Sequence, residues 1–428
     1  MPSLGTGWLH AEFVAEDYER FAEVELHMRS AMTSVMLLFL ALPAEGSASS
    51  SDAALIDTDL VRVRVETIAS GLDHPWSLAF LPDGRYLVTE RNSGQLRIGT
   101  VGGELSEPVE RIPDVFRYQG PDTLSQGGLF HVAVHPRFQE NRLIYVSFSQ
   151  PSSEGGGTAI VRGRLNEDDH APRFEDAEII FSMNVHDSSG THFGGRFTFE
   201  PQTGNIILSI GDRNTMSRAQ DPIDEAGSLI RITDTGDTPN DNPFVGQAGK
   251  GEKILSHGFR NVEGLAIDPR TGALWVTDQG PLGGDEINLI KPGRNYGWPI
   301  QTGGVDPSGA PIGRGAVVAG YEAAAHIWDR QVTPSGLVVY DGTQFPMWQG
   351  DLLHGSLHGR ALLRTRISEG KVTVSETMLT NLDRRIRDVA IDSHGAIWLV
   401  TDHEDGEVLR LTPEDPVTTG TVIRRPGQ

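Results

Sequence analysis

The sequence predicts an all-β fold, a six-bladed β-propeller of four-stranded antiparallel blades, from three observations. One apolar hairpin pattern recurs six times along the 428 residues. Glycine (50 residues) and proline (25 residues) are frequent without a collagen-like period, which suits many turns between short strands. After residue 50 no stretch of linker composition breaks the chain, so 51–428 reads as one propeller.

The repeat is a short apolar strand, a turn holding Asp, Pro or Gly, and a second apolar strand. The hairpins begin at Trp76, His131, Gly195, Gly264, Gly336 and Asp388. Taking Leu78, Val132, Phe197, Leu265, Leu337 and Val389 as equivalent points, the spacings are 54, 65, 68, 72 and 52 residues. That is room for a four-stranded blade with loops of varying length. A lone hairpin cannot bury its apolar faces, whereas blades stacked around an axis cover one another. A β-sandwich with similar hairpins is the competing arrangement.

Residues 1–50 differ from the rest. Arg29, the apolar run Met32 to Leu42 and the small-residue stretch from Gly46 to Ser50 follow the order of a secretory signal. Translation then starts near Met28, and the mature protein is periplasmic or secreted. An amphipathic helix is the alternative, and an apolar run of this length is about half of what a membrane span needs. Thr418 to Gln428 reads as a frayed tail.

Charge and composition exclude several functions. Lys plus Arg number 36 against 58 Asp plus Glu, a net charge of −22, which argues against nucleic acid as a partner. The absence of cysteine removes disulfides, Cys-ligated metals and a thiol nucleophile.

Four polar, glycine-rich segments fall at similar phases of different repeats, so their side chains should converge on one face near the axis. His192 opens the third hairpin and Asp212 ends it. If those strands pair, the carboxylate can orient the imidazole as a general base, although a turn histidine beside a turn aspartate has the same spacing. Arg260-Asn261 and the pair Arg385 and Arg387 put cations into an acidic chain. Alternation around Ile386 sends both guanidinium groups to one side, suiting either a polycarboxylate ligand or a salt-bridged strand end. The loop Gly280-Pro-Leu-Gly-Gly-Asp-Glu with Tyr296-Gly-Trp-Pro offers oxygen ligands for calcium, or is a solvated acidic turn.

Seven motifs then resemble one family in order. They are Gln126-Gly-Gly-Leu, Thr191-His-Phe-Gly-Gly-Arg, Ile210-Gly-Asp-Arg, Gly258-Phe-Arg-Asn, Gly280-Pro-Leu-Gly-Gly-Asp-Glu-Ile-Asn-Leu, Asn295-Tyr-Gly-Trp-Pro and Arg385-Ile-Arg-Asp-Val. From about Gly71 to Leu411 the chain resembles the soluble pyrroloquinoline quinone (PQQ) dependent glucose and aldose sugar dehydrogenases, which are six-bladed propellers. The resemblance implies PQQ and calcium as cofactors, an aldose oxidised at its C1 hydroxyl, and an external electron acceptor. It implies His192 as base, Asp212 as its orienter, Gln126 on the substrate and Arg260 on the developing charge. Asn261, Arg385 and Arg387 would grip PQQ. The carbonyls of Gly280 and Pro281 would hold the catalytic calcium, with Glu286 and Tyr296, and Asp285 beside them, at a further calcium site. His358 stands where the family usually carries a PQQ-binding lysine, a weaker or pH-dependent substitute. The chain would act as a monomer or homodimer. A calcium-dependent lactonase and a non-catalytic binding propeller are the other classes weighed.

Overall fold

The computed structural model describes residues 53–120, 125–167, 171–369 and 371–415. The expected leader and the C-terminal tail lie outside them. Among the described residues six antiparallel sheets follow one another along the chain, and the six hairpins of the repeat are the first two strands of each. Blade 1 is Pro75–Phe80, Tyr86–Glu90 and Gln95–Gly99, and blade 2 begins with Leu129–Val134 and Leu143–Ser152. Blade 3 opens with Phe197–Phe199 and Ile206–Ile210, blade 4 with Val262–Ile267 and Leu274–Asp278. Blade 5 starts from Pro334–Val339 and Leu352–Ser356, blade 6 from Ile386–Ile391 and Ile397–Thr401.

Blades 2 to 5 have four strands, as the repeat length requires, while blade 1 has three. Blade 6 is completed from the other end of the chain. Arg62–Leu72 pairs antiparallel with Gly406–Pro413, and Ala54–Asp57 adds a fifth strand outside it. Each closing hydrogen bond therefore joins residues over three hundred positions apart, which locks the ring and removes an open edge between first and last blades.

Why these segments are strands is visible in their burial. Second strands such as Tyr86–Glu90, Ile206–Ile210 and Ile397–Thr401 are buried at every residue. Both of their faces meet neighbouring blades, so they read as continuous rather than alternating apolar runs. Among the described residues seven apolar clusters result, six of them between adjacent blades and the seventh formed by Trp76, Phe130 and Phe193. Leu87 and Val132 share one between blades 1 and 2, and Val88 and Trp398 another between blades 6 and 1.

At the axis the packing turns polar. Arg196, which leads into blade 3, donates from Nη1 to Asp388 Oδ1 of blade 6 at 2.7 Å, and its guanidinium lies 4.0 Å over the Trp76 ring of blade 1. Burying this cation is tolerable because its partner is ionic and its donors are largely used, one of them on the Glu263 carbonyl at 3.1 Å. His131 belongs to the same plug, its Nδ1 meeting Ser77 Oγ at 2.9 Å and Arg196 Nη1 at 3.1 Å. Arginine only donates, so that nitrogen is the acceptor and the ring proton sits on Nε2.

Candidate active site

His192 is placed by the two glycines that follow it. Gly194 (φ 64°) and Gly195 (φ 91°) adopt the left-handed region, and a Cβ on Gly194 would meet the Ser209 carbonyl at 2.7 Å. Only glycine lets this loop lie directly on the second strand of blade 3. His192 itself has φ 51°, a strained value for a side-chain-bearing residue that recurs at functional positions.

Two residues past the end of that strand stands Asp212, whose Oδ1 lies 2.6 Å from His192 Nδ1. The same carboxylate accepts the Asn214 N–H at 2.8 Å and, on Oδ2, the Trp298 indole N–H at 2.8 Å. Burial pushes the Asp212 carboxyl up, but the hydrogen bond and charge of His192, nearby Arg260 and Trp298 outweigh it and hold the group below its ordinary value. An ionised carboxylate only accepts, so His192 carries its proton on Nδ1 and presents the Nε2 lone pair. Burial, opposed by Asp212, lowers the His192 pKa below 6.5, which keeps the imidazole neutral near pH 7.

Two neighbouring cavities share Gln126. One, of about 600 Å³, is lined by His192, Arg260, Thr191 and Asn214. The other, of about 460 Å³, is walled by Trp76, Phe130 and Phe193 and carries Arg385, Arg387 and Arg91. Gln126 accepts the His192 backbone N–H on Oε1 at 2.8 Å, which fixes it against the histidine loop and leaves its NH₂ as donor.

Arg385 and Arg387 do emerge together, because both donate to Asp402 Oδ2, at 3.1 and 2.7 Å. Arg387 also reaches Glu263 Oε2 at 3.1 Å. The strand-end salt bridge and the ligand-facing pair are thus one arrangement. Burial favours a neutral Asp402, but Arg387, Arg91 and Arg385 win and hold its carboxyl far below the usual range. Arg387 Nε is buried without a protein partner.

The loop Gly280 to Glu286 is drawn tight: a Cβ on Gly280 would lie 2.2 Å from the Gly283 carbonyl. Asp285, expected beside a calcium site, is instead a staple, accepting the N–H groups of Gly280, Val332 and Thr333 at 2.9, 2.7 and 2.8 Å. Glu286 and Asp278 pair in register and line a cavity of about 10 Å³ together with Tyr296, the size of a single small ion or water. Burial and mutual repulsion push Glu286 up to about 8, and burial pushes Asp278 up to about 7. Arg260 lines the same cavity and Asp278 accepts the Arg260 and Asn261 N–H groups, so of the two buried carboxyls Glu286 is the one with oxygen to offer a hard cation such as calcium. Among the described residues no three His, Asp or Glu side chains cluster as metal ligands, so backbone carbonyls must complete any such site.

Two expected cofactor ligands sit differently. Asn261 is buried with its amide spent on the protein: Oδ1 accepts the Gly194 N–H at 3.1 Å and Nδ2 donates to Glu263 Oε1 at 3.0 Å. It shapes the floor beneath the histidine loop. His358 lies exposed in the turn after Leu352–Ser356, and Leu357 rather than His358 lines the smaller cavity. Sequence reading missed Trp298, Asp402, Glu263 and Arg91. Trp298 and Asp402 stand in or beside quoted motifs, but their partners are set only by ring closure.

The sequence model of the glucose/sorbosone dehydrogenase family matches residues 72–410. The chain belongs to that family. This glucose/sorbosone dehydrogenase family member is 38% identical over 356 residues to the aldose sugar dehydrogenase YliI of Escherichia coli, covering 82% of this chain and 94% of the relative. It is similar to a crystal structure of a glucose dehydrogenase, with a TM-score of 0.76 and 40% identity over 81% of this chain and 98% of the other. It is also similar to the PQQ-bound form of an aldose sugar dehydrogenase from Streptomyces coelicolor, with a TM-score of 0.67 and 26% identity over 82% and 98% of the two chains.

Proposed function

We propose that the protein is a PQQ-dependent aldose dehydrogenase that oxidises the C1 hydroxyl of a sugar to the lactone and passes the electrons to an external acceptor. The observation that carries the reading is spatial. An oriented, neutral histidine opens on one cavity, the arginines Arg91, Arg385 and Arg387 line the next together with Glu263, Asp402 and Glu404, and Gln126 borders both. The PQQ-bound relative supports the cofactor assignment.

Arg385 and Arg387, which line the smaller cavity, would hold PQQ by its carboxylates. The carbonyls of Gly280 and Pro281 would hold calcium against it, with a structural calcium at Glu286 and Tyr296. When bound, PQQ supplies the quinone carbon that accepts hydride from C1, and calcium polarises the adjoining carbonyl.

The chain's own residues do the rest. His192 Nε2 takes the hydroxyl proton as the C1–H bond breaks, and the Asp212 carboxylate stabilises the imidazolium that forms. Trp298 and the Asn214 N–H keep that carboxylate from rotating. Arg260, anchored by its Nη1 on the Gln279 carbonyl at 3.1 Å, puts a fixed cation beside His192 where negative charge grows. Gln126 offers its amide donors to the sugar. Such an enzyme, preceded by a secretory leader at Met28 to Ser50, would work in the periplasm.

The test is reconstitution. Apo-protein given PQQ, Ca²⁺ and a panel of aldoses should reduce an artificial dye. Hydrolysis of lactones without dye reduction by any aldose would replace this reading with a calcium-dependent lactonase.

A further inference from the structure

Arg91 follows the second strand of blade 1 and lines the same cavity as Arg385 and Arg387. Its side chain is only 12% exposed. Yet it is poorly paired. Nε donates to Asn92 Oδ1 at 3.1 Å, and Nη2 stands 3.7 Å from Asp402 Oδ1, beyond hydrogen-bond range. Arg385 and Arg387 share the other oxygen, Oδ2, so Oδ1 has no hydrogen bond of its own and Arg91 meets it by charge alone.

A guanidinium has five N–H donors, and burying one with a single hydrogen bond is costly unless something else meets it. Burial pushes the Arg91 pKa down, with Asp402 opposing. An aldose carries no charge and would not repay this cation, and Arg91 does not line the cavity that holds His192. A carboxylate in the smaller cavity would repay it. We propose that Arg91 is a third carboxylate-binding residue for the polycarboxylate quinone, forking one acid group from the blade 1 side while Arg385 and Arg387 act from blade 6. The inference rests on the PQQ reading above. It also gives the site a cation that the exposed His358 does not bring into this cavity.

The experiment compares wild type, Arg91→Gln and Arg91→Lys by PQQ fluorescence titration with saturating Ca²⁺, alongside melting of each apo-protein. Arg91→Gln should bind PQQ about 10- to 100-fold more weakly, the range for a lost charge-assisted hydrogen bond. Arg91→Lys, keeping the charge and losing the fork, should fall between. Removing an under-paired buried cation should leave the apo melting temperature unchanged or higher. Equal PQQ affinity in wild type and Arg91→Gln would overturn the inference. So would a lower apo melting temperature together with equal losses in both variants, since Arg91 would then be a structural residue. Wild type that binds no PQQ would instead overturn the cofactor reading on which the inference stands.

Discussion

His192 and Asp212 meet through one short hydrogen bond, Nδ1 to Oδ1 at 2.6 Å, while Trp298 holds the other carboxylate oxygen at 2.8 Å. The first contact joins residues twenty apart across one hairpin. The second comes from the far side of blade 4, eighty-six residues on. The His192 imidazole is therefore oriented by two blades at once, and its protonation state depends on both.

Trp298→Phe removes one donor from the carboxylate and leaves its charge more available to the imidazole. In the proposed mechanism the active base is neutral His192, so kcat/KM should fall as pH drops through its pKa, and burial puts that acid limb below 6.5. In the variant the limb should move to higher pH, with a loss of less than about tenfold on the alkaline side of it. A kcat/KM profile between pH 4.5 and 8 decides this, and an unmoved limb would detach Trp298 from the base.

Arg213 clamps the segment that leads into His192. Its fully buried guanidinium lies 3.5 Å over the Phe193 ring and donates to the carbonyls of Ser189 and Thr191 and to Asp187. Burial lowers its pKa to about 10, so it remains charged at neutral pH. Arg213→Met strands those acceptors and should cost about 2–4 kcal/mol of stability. Urea unfolding measures the loss, and a change under 0.5 kcal/mol, the usual scatter of a surface substitution at about that size, would show that the clamp is idle.

Glu286 and Asp278 pair in register and flank the small cavity, which Arg260 also lines. Glu286→Gln removes one of the two buried acids, so the metal-free protein should be as stable as wild type or more so. On the proposed calcium site, Ca²⁺ should raise the melting temperature of wild type, and that rise should shrink or vanish in Glu286→Gln. Equal Ca²⁺ stabilisation of both proteins would place the ion elsewhere.

The hairpins were legible because a turn rich in Asp, Pro and Gly between two apolar runs is a local signal, and Leu78 to Val389 carry it at blade-sized spacing. His192 and Asp212 were legible for the same reason, since they flank one such hairpin. The strand Arg62–Leu72 was not, because its partners are Gly406–Pro413 at the other end of the chain and the short Ala54–Asp57, and no apolar hairpin of the repeat contains it. The Asp402 hub was hidden likewise. It gathers cations from blades 1 and 6, and nothing near Asp402 in sequence announces Arg91. His358 shows the converse, a position suggested by family likeness whose side chain the local turn leaves exposed.

The central claim is that His192 moves the sugar's proton while other residues hold the cofactor, and His192→Ala tests it most directly. PQQ titration and dye-linked aldose oxidation are measured on the same reconstituted sample. PQQ affinity should stay within about threefold of wild type while kcat falls by about 10² to 10⁴, the usual worth of a general base. Wild-type turnover in the variant, or a loss of activity explained entirely by lost PQQ binding, would contradict it.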